Sequence, residues 1–326
     1  MADCEFRTIV TPERVADRIS HSSRIMMLGS CFSDSIGARL RQGMFNVRAN
    51  PLGTLYNPLS ITAAIDAFID GRVVNEAELV ESQGQYHSFL SHSSLSSYDK
   101  EVALARINGA IESAGSFLQT ADWLIVTLGT SYVYKLLETG ETVANCHKLS
   151  SKLFSREFLT VNQTSKTLSN MIGRLAEFNP KLRVIFTVSP IRHLADGAHE
   201  NNLSKAALLM AVNQVINSPQ PLTVCYFPSY EIMMDDLRDY RFYAADMVHP
   251  SETAVDYIYC RFLQAAVNEG DFAAIEECRK FSTLANHRPM TDNPESIRKL
   301  KESIAGKYSD LLRKYPYIEL LNEEVL

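Results

Sequence analysis

Five short apolar runs punctuate the chain: Ile25–Leu28, Phe45–Ala49, Trp123–Leu128, Val184–Val188 and Leu222–Phe227. Each is rich in β-branched or aromatic residues and stops at Gly, Pro, Ser or Asn, which predicts buried strands. Helical spacing fills the gaps. After Ser30, the apolar residues Ile36, Leu40 and Met44 recur every four positions, with Asp34 early and Arg39 and Arg41 late, as a helix dipole favours. Asn57-Pro58 supplies a cap and a first-turn proline ahead of Ile61, Ala64, Ile65 and Phe68. Further helices are predicted over about 101–119, 163–178 and 200–217. Strands alternating with helices predict an α/β three-layer sandwich around a five-stranded parallel sheet.

Two segments depart from that alternation. Tyr132–Lys148 holds Glu138-Thr139-Gly140-Glu141 between apolar stretches and reads as a hairpin or insertion beyond the third strand. Around Asn286–Pro294 the chain turns polar, and beyond it Ile297, Leu300, Ile304, Tyr308 and Leu311 form an apolar stripe at helical spacing. We therefore expect a sheet domain over 1–285 and a helical C-terminal extension over 286–326, docked on that domain or serving as a homodimer helix.

Composition narrows the class. With 326 residues and 46% hydrophobic content, the chain can bury a large core. A net charge of −6 and no basic run argue against nucleic acid as partner. No apolar stretch approaches the ~20 residues of a membrane span. Met1–Thr8 lacks a basic segment followed by an apolar one, so a cytoplasmic protein with no membrane partner is expected. The six cysteines include no Cys-x-x-Cys pair and suggest free thiols rather than a disulfide framework or zinc site.

In parallel sheets, functional groups gather beyond the carboxyl ends of the strands. Gly29-Ser30 ends the first strand just before a helix, where backbone N–H groups face developing negative charge. Ser30 there is either a helix cap or a nucleophile. Cys31, without an activating neighbour in sequence, is the weaker rival. A serine needs a base and the base an orienting group. Asp246-Met-Val-His249 offers both, after the fifth strand. A second Asp-x-x-His, Asp196/His199, lies in a polar loop. Gly53, after the second strand, is either a bare oxyanion N–H or a turn glycine. Arg192, after the fourth strand, is either a clamp for a substrate carboxylate or phosphate or half of a structural ion pair. His193 beside it is a rival base, and Arg192 with His193 would suit a phosphate ester.

These residues together resemble the blocks of the SGNH (GDSL-like) hydrolases, and more closely the GSCFA-domain proteins. The matching text is "LGSCFSDSIG", "NPLGTLYNP", "TLGTSYVY", "VANCHK", "FTVSPIRHLADG" with "ENNLSK", and "FPSYEI…DYRFYAADMVHPS". It runs from roughly Thr8 to Phe262, with "GSCFS" in place of "GSCFA". The resemblance implies a flavodoxin-like sheet and a serine esterase or acyltransferase with the triad Ser30, Asp246 and His249. No metal or organic cofactor is implied. The substrate would be a small-molecule or carbohydrate ester, an O-acetylated sugar by analogy. The implied oxyanion donors are the N–H groups of Ser30 and Gly53 and a third-block asparagine. The chain has Gly129-Thr130-Ser131 where that asparagine would stand. Ser131, Asn50, Asn145 or His147 is then the substitute, and Asn145, His147, Arg192 and His193 would line the substrate site. The missing asparagine also supports a catalytically weak, ligand-binding alternative.

Overall fold

The structure is a computed structural model of the chain and describes residues 7–286 and 293–318. The core strands are β1 (Arg24–Gly29), β2 (Asn46–Ala49), β3 (Trp123–Leu128), β4 (Arg183–Val188) and β5 (Thr223–Tyr226). They form one sheet in the order β5-β4-β3-β1-β2, with every pair parallel. β3 coincides with its apolar run, and the other four differ from theirs by at most one residue at either end. Read from the other edge the order is 2-1-3-4-5, so the topology switches between β1 and β3 and opens a crevice at their carboxyl ends.

Side-chain alternation sends the two faces of each strand into separate cores. Met26 and Leu28 pack with Leu124, Val126 and Phe186 under α2 (Pro58–Asp70), α3 (Lys100–Thr120), α4 (Val161–Phe178) and α5 (Ala198–Ile216). Ile25 and Met27 pack with Trp123, Ile125 and Ile185 under α1 (Cys31–Gln42) and α6 (Glu252–Ala266). Local signals set the helix starts. Asn57 caps α2 through Ser60 N, with Pro58 in its first turn. Thr160 and Gln163 form a reciprocal capping box on α4. Arg39, buried on α1, donates to Asp256 and Glu252 of α6 at 2.6 Å each, tying together the helices that follow β1 and precede the C-terminal region.

The insertion after β3 is a hairpin, Tyr132–Leu136 with Thr142–Val143. It is joined on its other side by Phe154–Phe158 into a small antiparallel sheet. A second hairpin, Leu79–Ser82 with Gln85–Ser88, turns at Gln83-Gly84, both at positive φ, as tight two-residue hairpin turns require. Phe154–Phe158 and this second hairpin carry too few buried residues to have stood out in the sequence.

At the C-terminal side, α7 (Phe272–Ala285) and α8 (Pro294–Lys314) enclose a third cluster: Cys278, Phe281, Ile304, Tyr308 and Leu311 with Met44. The polar stretch noted from 286 to 294 falls largely on 287–292, outside the described residues. Among the described residues no helix is long and apolar enough to cross a membrane.

Candidate active site

The crevice at the switch point is built from main-chain contacts. Gly29 closes β1 at φ 136°, and a Cβ there would stand 2.1 Å from the carbonyl oxygen of Thr127, so only glycine fits. Ser30 N donates to that same carbonyl, at 3.1 Å. The chain then enters α1, placing Cys31 at the first helical position, with its side chain at the cavity and the helix dipole's positive end beneath it. The loop after β2 is stapled to this floor. Asn50 N donates to Met27 O, Leu55 N to Gly29 O, and both Gly129 N and Thr130 N to Tyr56 O.

A cavity of about 730 Å3 lies above, with Cys31 and His249 on its wall. Asp246 holds the imidazole from below. Its Oδ1 accepts the backbone N–H groups of Val248 and His249 at 2.9 Å, and its Oδ2 accepts His249 Nδ1–H at 2.6 Å. Those two backbone donors and the imidazole hold the Asp246 carboxyl down at about 2. Because the carboxylate only accepts, Nδ1 carries the ring proton and Nε2 is the free acceptor. Nε2 faces Cys31 Sγ at 3.8 Å.

The base is therefore brought to Cys31, whereas the expected nucleophile was Ser30. Ser30 is 0% exposed and does not line the cavity. Its hydroxyl accepts Phe32 N–H as the cap of α1 and donates to Ser189 Oγ at 3.0 Å. The physical reason is rotation: one residue further along a helix start turns the side chain by about 100°. Ser30 points back into the floor while Cys31 points out. Burial raises the Cys31 thiol above the ordinary cysteine value, and Asp34 adds to that; nearby helix N–H groups and Lys205 pull the other way.

The expected oxyanion donors are spoken for. Gly53 N–H donates to Asn50 O at 2.7 Å, and Gly53 is a turn glycine at φ 77°, packed against His92. Ser131 is fully buried, with its N–H donating to Ser204 Oγ and its hydroxyl to Ser204 O. Asn50 accepts Gly29 N–H and donates to Ser30 O, bracing the loop from behind. His147 is buried away from the cavity. Its Nε2 bonds Ser88 O, its Nδ1 meets Ser93 Oγ, and it stacks on His87 with ring centroids 4.4 Å apart. Asn145, Arg192 and His193 do line the cavity, together with Tyr56 and Tyr132. His199 lies in the first turn of α5, outside the cavity.

His193 lines the same cavity as Cys31 and His249. Its Nε2 is buried without a hydrogen-bond partner and lies 3.3 Å from where a Cβ on Gly129 would stand. Burial, then the nearby Lys205 and His249, push it down to about 4, so it is a neutral imidazole at physiological pH. Sequence reasoning missed Lys205, the one charged side chain fully buried at the site among the described residues. Its Nζ donates to Gly129 O at 2.8 Å and Ser189 O at 2.7 Å, bridging the ends of β3 and β4 under the cavity floor. Its only trace in the sequence is its place in the "ENNLSK" text.

Residues 24–262, more than half of the chain, match the GSCFA family. No curated protein matches the chain. Among solved structures it is similar to a carbohydrate esterase family 3 protein from Talaromyces cellulolyticus, at 10% identity over 74% of this chain and 94% of that one, with a TM-score of 0.36. It is also similar to the acetyl xylan esterase Est2A from the rumen bacterium Butyrivibrio proteoclasticus, at 10% identity over 75% of this chain and 63% of that one, with a TM-score of 0.39. The chain belongs to the GSCFA family.

Proposed function

We propose that the protein is an acyl-ester hydrolase or acyltransferase whose nucleophile is Cys31, with His249 as general base and Asp246 as its orienting carboxylate. The observation that carries this reading is the chain of contacts from Asp246 Oδ2 to His249 Nδ1, and from His249 Nε2 to Cys31 Sγ, at the mouth of the cavity. The thiol proton passes to Nε2 as sulfur bonds to the ester carbonyl carbon, and the carbonyl electrons move onto oxygen. Collapse expels the alcohol, which takes the proton from His249 and leaves a thioester on Cys31. Water or an acceptor hydroxyl then attacks that carbonyl, giving its proton to His249. The acid or new ester departs and the thiol is restored.

The oxyanion falls to two donors. The Cys31 N–H lies at the N-terminus of α1, ahead of the helix's own hydrogen bonds. The second is His193, a neutral imidazole whose Nε2 has no other partner. It takes the place of the absent third-block asparagine, and a neutral ring donates without forming a competing charge pair. Tyr56, Tyr132 and Tyr134 on the wall suit a hydroxyl-rich ester such as an O-acetylated carbohydrate, since tyrosine combines an apolar face with a polar tip.

Release of p-nitrophenol from its acetate and butyrate esters tests the assignment. Cys31→Ala should lose turnover by about 10³-fold or more, and Ser30→Ala should keep it within about tenfold, as for loss of a cap. The reverse pattern would return the nucleophile to Ser30. Undiminished turnover in both would remove both residues from the chemistry, and release by the native protein no faster than by buffer alone would favour the ligand-binding alternative, which the engaged Gly53 and Ser131 donors support.

A further inference from the structure

We propose that the substrate of this site carries an anionic group, carboxylate or phosphate, bound by Arg192; this rests on the Cys31 reading and names its substrate class. Arg192 follows β4 and lines the same cavity as Cys31 and His249. Its guanidinium is half-buried and poorly satisfied. One Nη donates to Asn202 Oδ1 at 2.8 Å, the other reaches only the thioether of Met234 at 3.7 Å, and Nε is buried with no partner.

Among the described residues no carboxylate pairs with Arg192. Four described acids on the neighbouring segments have other partners. Asp246 holds His249, Glu200 accepts from Tyr132, Glu231 accepts from Tyr226, and Asp235 pairs with Arg238. Lys205 stands close enough that the two cations repel. Removing a guanidinium from water without a counter-ion is costly, and a second cation beneath the floor adds to that cost. Such a wall persists when an arriving ligand supplies the missing charge, and guanidinium is suited to a two-oxygen anion. The cavity's field thus favours an acyl donor or acceptor with a carboxylate or phosphate beside the ester.

Alkylation of the intact protein separates this inference from the nucleophile assignment. Iodoacetate and iodoacetamide differ by one negative charge, and mass spectrometry reads each cysteine separately. Cys260, exposed and remote from the cavity, is the internal reference. The ratio of iodoacetate to iodoacetamide rates at Cys31 should exceed that at Cys260 by about tenfold, equivalent to about 1.4 kcal/mol of attraction. Arg192→Gln should bring the two ratios together while leaving iodoacetamide labelling of Cys31 in place, and Arg192→Lys should retain part of the preference. A ratio at Cys31 equal to that at Cys260, or unmoved by Arg192→Gln, overturns the anion site. Iodoacetamide labelling of Cys31 that His249→Ala fails to slow would instead strike the nucleophile reading. Succinate and inorganic phosphate, added separately, identify the anion. The one that matches should slow iodoacetate labelling of Cys31 in the native protein but not in Arg192→Gln, and no protection by either counts against the proposal.

Discussion

Lys205 sits 1% exposed beneath the cavity, and burial followed by the nearby Arg192 brings its ammonium down to about 7. In the unfolded chain a lysine titrates near 10.4. Between those values the unfolded state holds a proton that the folded state has released, so this residue's contribution to stability increases as pH rises from about 7 to about 10. Urea midpoints of native protein and Lys205→Met, compared at pH 7 and pH 9.5, isolate the effect. The native midpoint should gain on the variant as pH rises; parallel curves would show that Lys205 stays charged in the fold. At the same scale, the sequence singled out Asp246 and His249, which the fold brings into contact, and Ser30, which the fold buries while Cys31 faces the His249 ring. Asp246 and His249 were legible because both partners lie on one short turn. Ser30 and Cys31 are adjacent, and only the rotation of the helix start decides which faces the base. Whether Gly53 N–H is free was not legible, since that depends on the carbonyl of Asn50, which no residue pattern reports.

The long strands and helices of the sheet domain were read from the sequence within a few residues because their apolar spacing is continuous and both sheet faces are covered. The two hairpins differ: their strands are short, half exposed and held by polar contacts. The stacked pair of His87 and His147 illustrates this. His147 joins the segment after the insertion hairpin to the Leu79–Ser88 hairpin through Ser88 O and Ser93 Oγ, work that pattern alone would assign to a substrate contact. Burial, more than the adjacent His87 and His92, drives His147 down to about 4. Below about 6.5 the unfolded chain takes up a proton that the folded ring refuses until about 4, so stability is lost as pH falls across that window. His147→Gln should be less stable than the native protein at pH 7, yet its urea midpoint should fall less between pH 7 and pH 5. Equal falls would remove His147 from the acid response.

On the scale of the whole molecule, the candidate site lies at the sheet's switch point, and α8 packs away from it. Leu311 is buried between α8 and the cluster around Phe281 and Met44. Leu311→Ala should weaken that docking by about 2 kcal/mol, the low end for a buried leucine. Limited proteolysis within 294–314 should quicken, with the rate of Cys31 alkylation unchanged. Unaltered proteolysis would mean that α8 is held by contacts other than this cluster.

The floor of the cavity has a consequence for how such a protein can diversify. Its height and shape are set by main-chain bonds: Ser30 to Thr127, Leu55 to Gly29, Gly129 and Thr130 to Tyr56. Its walls are side chains from elsewhere, Tyr132 and Tyr134 from the insertion and Arg192 from the loop after β4. Substitution in the walls leaves the position of Cys31 over the sheet untouched, so the lining of the cavity can change independently of its floor. A lineage built on this scaffold can exchange one ligand for another without passing through an ancestor that has lost the Cys31–His249–Asp246 contacts.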